Sequence, residues 1–87
     1  MPSVATIVAE KHPDGNWNAR FAHSVRFSGN GNNPISAVSR FIESFGWEKV
    51  DIDRIAEVNE FKQDDYSVFR VPLNDLGRLT IRNLISL

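Results

Sequence analysis

The sequence predicts an α+β domain. It would be a mostly antiparallel sheet in the order β-β-β-α-β-β, with one helix packed across it and a C-terminal segment that is helix or strand. Three observations lead there. Between residues 4 and 28 apolar side chains recur with the period of two that marks a strand. Residues 35–45 recur at the 3.6-residue period of a helix. After residue 55 the period of two returns. The chain has 87 residues. A domain of that size buries roughly 60–65% of the surface its unfolded chain exposes, which supports one core and not two. Within that single domain the expected parts are a β-β-β-α unit over 4–46, an acidic connector over 47–54, a hairpin over 55–72 and an apolar segment over 73–87.

The first strand runs from Val4 to Glu10. Val4, Thr6 and Val8 interleave with Ala5, Ile7 and Ala9, so both faces are apolar. Such a strand is expected inside the sheet, covered on two sides. Pro13, Asp14 and Gly15 then supply a turn: a preset φ, a side chain that bonds its own backbone, and tolerance of positive φ. In the second strand, residues 17–21, Trp17, Ala19 and Phe21 share one face. In the third, residues 25–28, Val25 and Phe27 point inward. A loop of Ala22, His23 and Ser24 would set Phe21 opposite Val25, Ala19 opposite Phe27 and Arg20 opposite Arg26.

The helix over 34–45 has signals at both ends. Asn33 is a good N-cap, and Pro34 occupies the first helical position, where a missing N–H costs nothing. Ile35, Val38, Phe41, Ile42 and Phe45 form its apolar stripe, and Gly46 stops it. Residues 55–61 and 66–71 read as a hairpin closed by 62–65, with Ala56 opposite Val71, Val58 opposite Phe69 and Glu57 opposite Arg70. Pro72 would end the ladder, having no N–H to donate. A competing reading makes 51–61 a helix through Ile52, Ile55, Val58 and Phe61. Two readings also stand for the tail: a helix capped by Asn74 or Asp75, with Gly77 costing ~1 kcal/mol near its start, or a strand through Leu79, Ile81 and Ile85.

Composition removes several function classes. Hydrophobic residues are 41% of the chain and charged residues 24%, which fits a globule and not a disordered or fibrous chain. No apolar run approaches the ~20 residues of a membrane span, and no basic-then-apolar leader opens the chain, so a cytoplasmic, membrane-free protein is expected. Cysteine is absent, which excludes disulfides, thiolate metal sites and cysteine nucleophiles. A net charge of −1 gives no global attraction to nucleic acid. His12 and His23 lack partners at metal-ligand spacing, the serines stand in no Gly-x-Ser-x-Gly elbow, and Asp51, Asp53, Glu57 and Asp64 read as a solvated acidic stretch. No catalytic, cofactor-binding or metal-ligating residue is therefore assigned, and the expectation is a protein without enzymatic activity.

Two sets of residues remain as candidate contacts. Gly29, Asn30 and Gly31 lie before a helix N-terminus, where backbone N–H groups favour an anion, and the facing pair Arg20 and Arg26 would welcome one. Together they define a nucleic-acid or anion-binding alternative. The second set is Leu79, Ile81, Leu84, Ile85 and Leu87, too apolar to hang free and so expected at an interface.

Residues 4–45 carry a β-branched strand ending in Glu10, then Asp14-Gly15 and Trp17, a strand with Phe21, a third strand closing on Gly29 and Gly31, and a helix with Ala37-Val38. In these features the chain resembles the N-terminal domain of HicB-type antitoxins, which usually show Pro-Asp-Leu-Pro-Gly where this chain has Ala22-His23-Ser24, and a glutamate where it has Ser36. The resemblance implies the order strand–strand–strand–helix followed by further strand, a sheet with one helix across it, homo-oligomers, and a non-catalytic role in binding a small, toxin-like protein partner.

Overall fold

The computed structural model describes residues 3–22 and 24–85, apart from the side chains of Ser3, Val25 and residues 83–85. The fold is α+β. Strands β1 (Ser3–Lys11), β2 (Trp17–Phe21) and β3 (Ser24–Gly31) lead into helix α1 (Pro34–Phe45). Short 3-10 turns at Trp47–Lys49 and Ile52–Arg54 follow, then β4 (Ala56–Glu57), a third 3-10 turn at Asn59–Phe61, β5 (Tyr66–Leu73) and helix α2 (Asp75–Ile85). The strands form one antiparallel sheet in the order β3-β2-β1-β5-β4.

β1 is the central strand, as its two apolar faces predicted, but only one face is covered by a helix. Ala5, Ile7 and Ala9 are buried under α1 with Ala19, Phe21, Phe69 and Val71. On the other face Val8 is buried opposite Val68, while Val4 is half exposed. No helix of the described residues crosses that second face, and its inner valines are sheltered by sheet neighbours instead. The turn after β1 is built as its residues predicted: Asp14 Oδ1 accepts the Asn16 N–H at 2.9 Å, and Gly15 has φ +92°.

The β2–β3 register differs from the expected one. Phe21 faces Ser24; the register then shifts, and Arg20 pairs with Ser28, Ala19 with Gly29 and Trp17 with Gly31. The cause lies in the layer above. A Cβ on Gly29 would stand 2.1 Å from the Phe41 backbone nitrogen, and one on Gly31 would stand 2.6 Å from Ser36 Cβ. The expected pairing would place the Phe27 ring beside Ala19, where α1 needs bare backbone. The bulge moves Phe27 aside into an edge-to-face aromatic cluster, 6.2 Å from Phe21 and 5.4 Å from Phe45. Val25's predicted inward direction lies outside the described side chains.

α1 has the predicted ends. Asn33 Oδ1 accepts the Ser36 N–H at 2.8 Å, and the Gly46 N–H donates to Ile42 O at 2.7 Å with φ +124°. Its buried face is Ala37, Val38, Phe41, Ile42 and Phe45. Ile35, expected in that stripe, is 69% exposed. Ile35 stands in the first turn of the helix, one turn before Val38, and borders an open cleft and not the packed core.

The second half departs further. Residues 51–61 are not a helix, and β4 is only two residues long. Ala56 pairs with Arg70 and Glu57 with Phe69, one residue off the expected pairing. The hairpin closes tightly through Gln63 and Tyr66, and the 3-10 turn at Asn59–Phe61 absorbs the surplus residues. Pro72 does not end β5. It pairs with Val4, and its carbonyl accepts the Asp51 N–H at 2.9 Å on the far side, where β4 has already stopped and no N–H is required. The tail is a helix, started by Asn74 Oδ1 accepting the Gly77 N–H at 3.0 Å. Gly77 is a contact and not merely a cost, since a Cβ there would lie 2.2 Å from Lys49 O.

Candidate interaction surfaces

The glycine segment is strand, not loop. Gly29, Asn30 and Gly31 are held in the β2–β3 ladder. Their Cα atoms at 29 and 31 press on α1, while the Asn30 side chain projects to the opposite face, where its Oδ1 accepts from Asn18 Nδ2 at 3.0 Å. The backbone therefore does not curl its N–H groups around an anion. Its small residues set the distance between helix and sheet.

Arg20 and Arg26 do not face each other. Arg20 lies on the uncovered sheet face between Val8 and Ser28. One guanidinium nitrogen reaches Glu10 Oε1 at 3.0 Å, and the other donates to the carbonyls of Phe21 and Ala22 at 3.1 and 3.4 Å. Arg20 is thus paired with a carboxylate, and not with one from the acidic residues 51–64. Glu10 supplies it because β1–β2 pairing sets Glu10 opposite Asn18, diagonally next to Arg20. The pair is partly exposed, with side chains 31% and 46% accessible, so it contributes at most about 1 kcal/mol and chiefly orients Arg20. Arg26 is exposed on the edge strand, and Arg70 is exposed on the same open face as Arg20, opposite Thr6 and Ala56. Among the described residues neither makes an ion pair.

The tail residues separate in the same way. Gly77 and Ile81 lie on the inner side of α2, where Gly77 meets the Trp47–Lys49 turn and Ile81 packs against the core. Leu79 points outward and is 53% exposed; Leu76, one turn earlier, is 48% exposed. Leu76 was not among the expected contacts, yet its i,i+3 spacing to Leu79 is the signal that finds it. Leu84 and Ile85 lie outside the described side chains, and Leu87 lies outside the described residues.

Among the described residues no group of acidic and histidine side chains is arranged to hold a metal ion, and no helix is long and apolar enough to cross a membrane. Compared with protein-family models, curated proteins and solved structures, the chain matches none significantly.

Proposed function

We propose that this chain is a non-catalytic protein-interaction module, resembling the N-terminal domain of HicB-type antitoxins, which self-associates and holds a small protein partner. The observation that carries the reading is the outer side of α2. Leu76 and Leu79 stand exposed within one turn of each other, on a helix whose inner side is anchored by Gly77 and Ile81. Two adjacent leucines in water are a cost that a partner surface removes, at ~25 cal/mol per Å2 of apolar area covered. Light scattering on the full chain and on the double variant Leu76→Glu, Leu79→Glu tests it. The wild type is expected to be oligomeric and the variant monomeric, with the same circular dichroism. A wild-type monomer at high concentration would remove self-association.

A second reading is favoured by the charge on the open sheet face. Arg20, Arg70 and the exposed Arg26 lie on or beside this face, where Glu10 pairs with Arg20, although the whole chain carries a net charge of −1. The excess positive charge on this face would serve single-stranded nucleic acid. Oligonucleotide binding should then weaken as salt rises, and Arg26→Ala and Arg70→Ala should each lower the salt slope by about one. Absence of binding at low salt would end this reading.

A further inference from the structure

Between the start of α1 and the segment 57–64 lies a cleft of about 570 Å3, within the size range of small-ligand sites. Its floor is the covered face of the sheet, where Trp17, Ser67 and Phe69 are exposed by 7%, 1% and 6%. Ser67 is the feature that marks the place. Its Oγ is buried and has no hydrogen-bond partner among the described residues. A hydroxyl in that state lowers stability, because it has given up water and received nothing. The contacts that fold the chain do not explain why it is there.

The two walls differ in polarity. One is the N-terminal turn of α1, the positive end of the helix dipole. Pro34 has no N–H, the Ser36 N–H goes to Asn33 Oδ1 and the Ala37 N–H goes to Asn33 O, which leaves the Ile35 N–H of that turn without a partner among the described residues. The opposite wall carries Glu57, Lys62 and Asp64. Lys62 Nζ is 3.8 Å from Glu57 Oε1, so these two charges offset each other. Asp64 has no ion pair among the described residues. After internal pairing the cleft retains an N–H at the positive end of a helix, a carboxylate across from it and a buried hydroxyl in an otherwise apolar floor.

We propose that this cleft binds a small zwitterion with an apolar body, its carboxylate at the α1 wall, its ammonium at Asp64, its side chain over Trp17 and Phe69, and a polar atom on Ser67 Oγ. A free apolar amino acid and a short peptide with free ends both present this chemistry.

Two-dimensional amide NMR of the full chain tests the assignment, with the Trp17 indole N–H and the Ser67 amide as reporters. The probes are L-phenylalanine, the dipeptide alanyl-phenylalanine, glycine, N-acetylphenylalanine and phenylalaninamide. Phenylalanine or the dipeptide should move both reporters, and the tighter of the two identifies the source. Glycine, which has no apolar body, and the two capped compounds, each lacking one charge, should bind about tenfold more weakly. Ser67→Ala should weaken binding while leaving the urea midpoint unchanged or raised, and Asp64→Asn should abolish the preference for phenylalanine over its N-acetyl derivative. The proposal is overturned if no probe moves the reporters, or if all move them equally. It is also overturned if Ser67→Ala lowers the urea midpoint, since the hydroxyl would then already be satisfied within the fold.

Discussion

Replacing Gly29 by alanine is expected to cost at least about 4 kcal/mol and to abolish cooperative unfolding at ambient temperature. The added Cβ would sit 2.1 Å from Phe41 N, 2.5 Å from Ala37 O and 2.6 Å from Arg40 C. All three are backbone atoms of α1, so no rotamer change relieves the clash, and the helix must lift off the sheet. Lifting it separates Phe41 and Ile42 from the floor they cover, and a domain of this size has only a few kcal/mol to lose. Gly15→Ala is the informative control. Gly15 has φ +92° but nothing within 4 Å of an added Cβ, so that variant should cost only about 1 kcal/mol of backbone strain. Urea titration followed by tryptophan fluorescence distinguishes the two. A Gly29→Ala midpoint close to that of Gly15→Ala would show that helix and sheet are not in backbone contact.

The same contact explains what the sequence revealed and what it hid. α1 was legible because its determinants are local. Asn33, Pro34, the 3.6-residue stripe and Gly46 each act within one turn of their own position. The tail helix was half legible for the same reason, since Asn74 is a cap whatever surrounds it. The β2–β3 register was not, because it is decided by how closely a later helix approaches. Gly29 and Gly31, two residues apart, looked like a loop. Spaced two apart in a strand pattern, they also mark one face stripped of side chains for a close neighbour. The exposure of Ile35 follows from its place in the first turn of α1: it shares a helical face with the buried Val38 and Ile42, but it borders an open cleft and not the packed core.

The candidate surfaces were misread for a related reason. The Arg20–Arg26 pairing rested on a register that the helix forbids, so an expected like-charge pair became an arginine held by Glu10 on the diagonal. Leu79 and Ile81 were grouped because both are aliphatic. On a helix they are about 200° apart, and only the position of Gly77, one turn before Ile81, tells which of them turns inward. The cleft over Ser67 left no sequence signal, because its walls come from the start of α1 and from Glu57 and the turn residues 62–64, which carry no periodicity.

Phe41→Ala is expected to destabilise the protein by about 3–5 kcal/mol. The Phe41 ring is 1% exposed, 4.7 Å from Phe21 in an edge-to-face contact and 6.3 Å from Phe45 in a stacked one. Its removal leaves a cavity beside two rings that depend on it for position. Phe41→Leu should cost less, since it keeps most of the volume and loses mainly the aromatic contacts. Ile35→Ala, at a 69% exposed site on the same helix, should stay within about 0.5 kcal/mol. A urea midpoint for Phe41→Ala equal to the wild-type value would remove Phe41 from the core and with it the packing of α1 on the sheet. The double variant Gly29→Ala, Phe41→Ala separates two accounts of the helix-to-sheet distance. If side chains set it, deleting the ring makes room and the double variant is more stable than Gly29→Ala alone. The Cβ of residue 29 would meet the backbone of residues 37–41 and not the ring. No rescue is therefore expected, and the two costs should add or fall together below the threshold of folding.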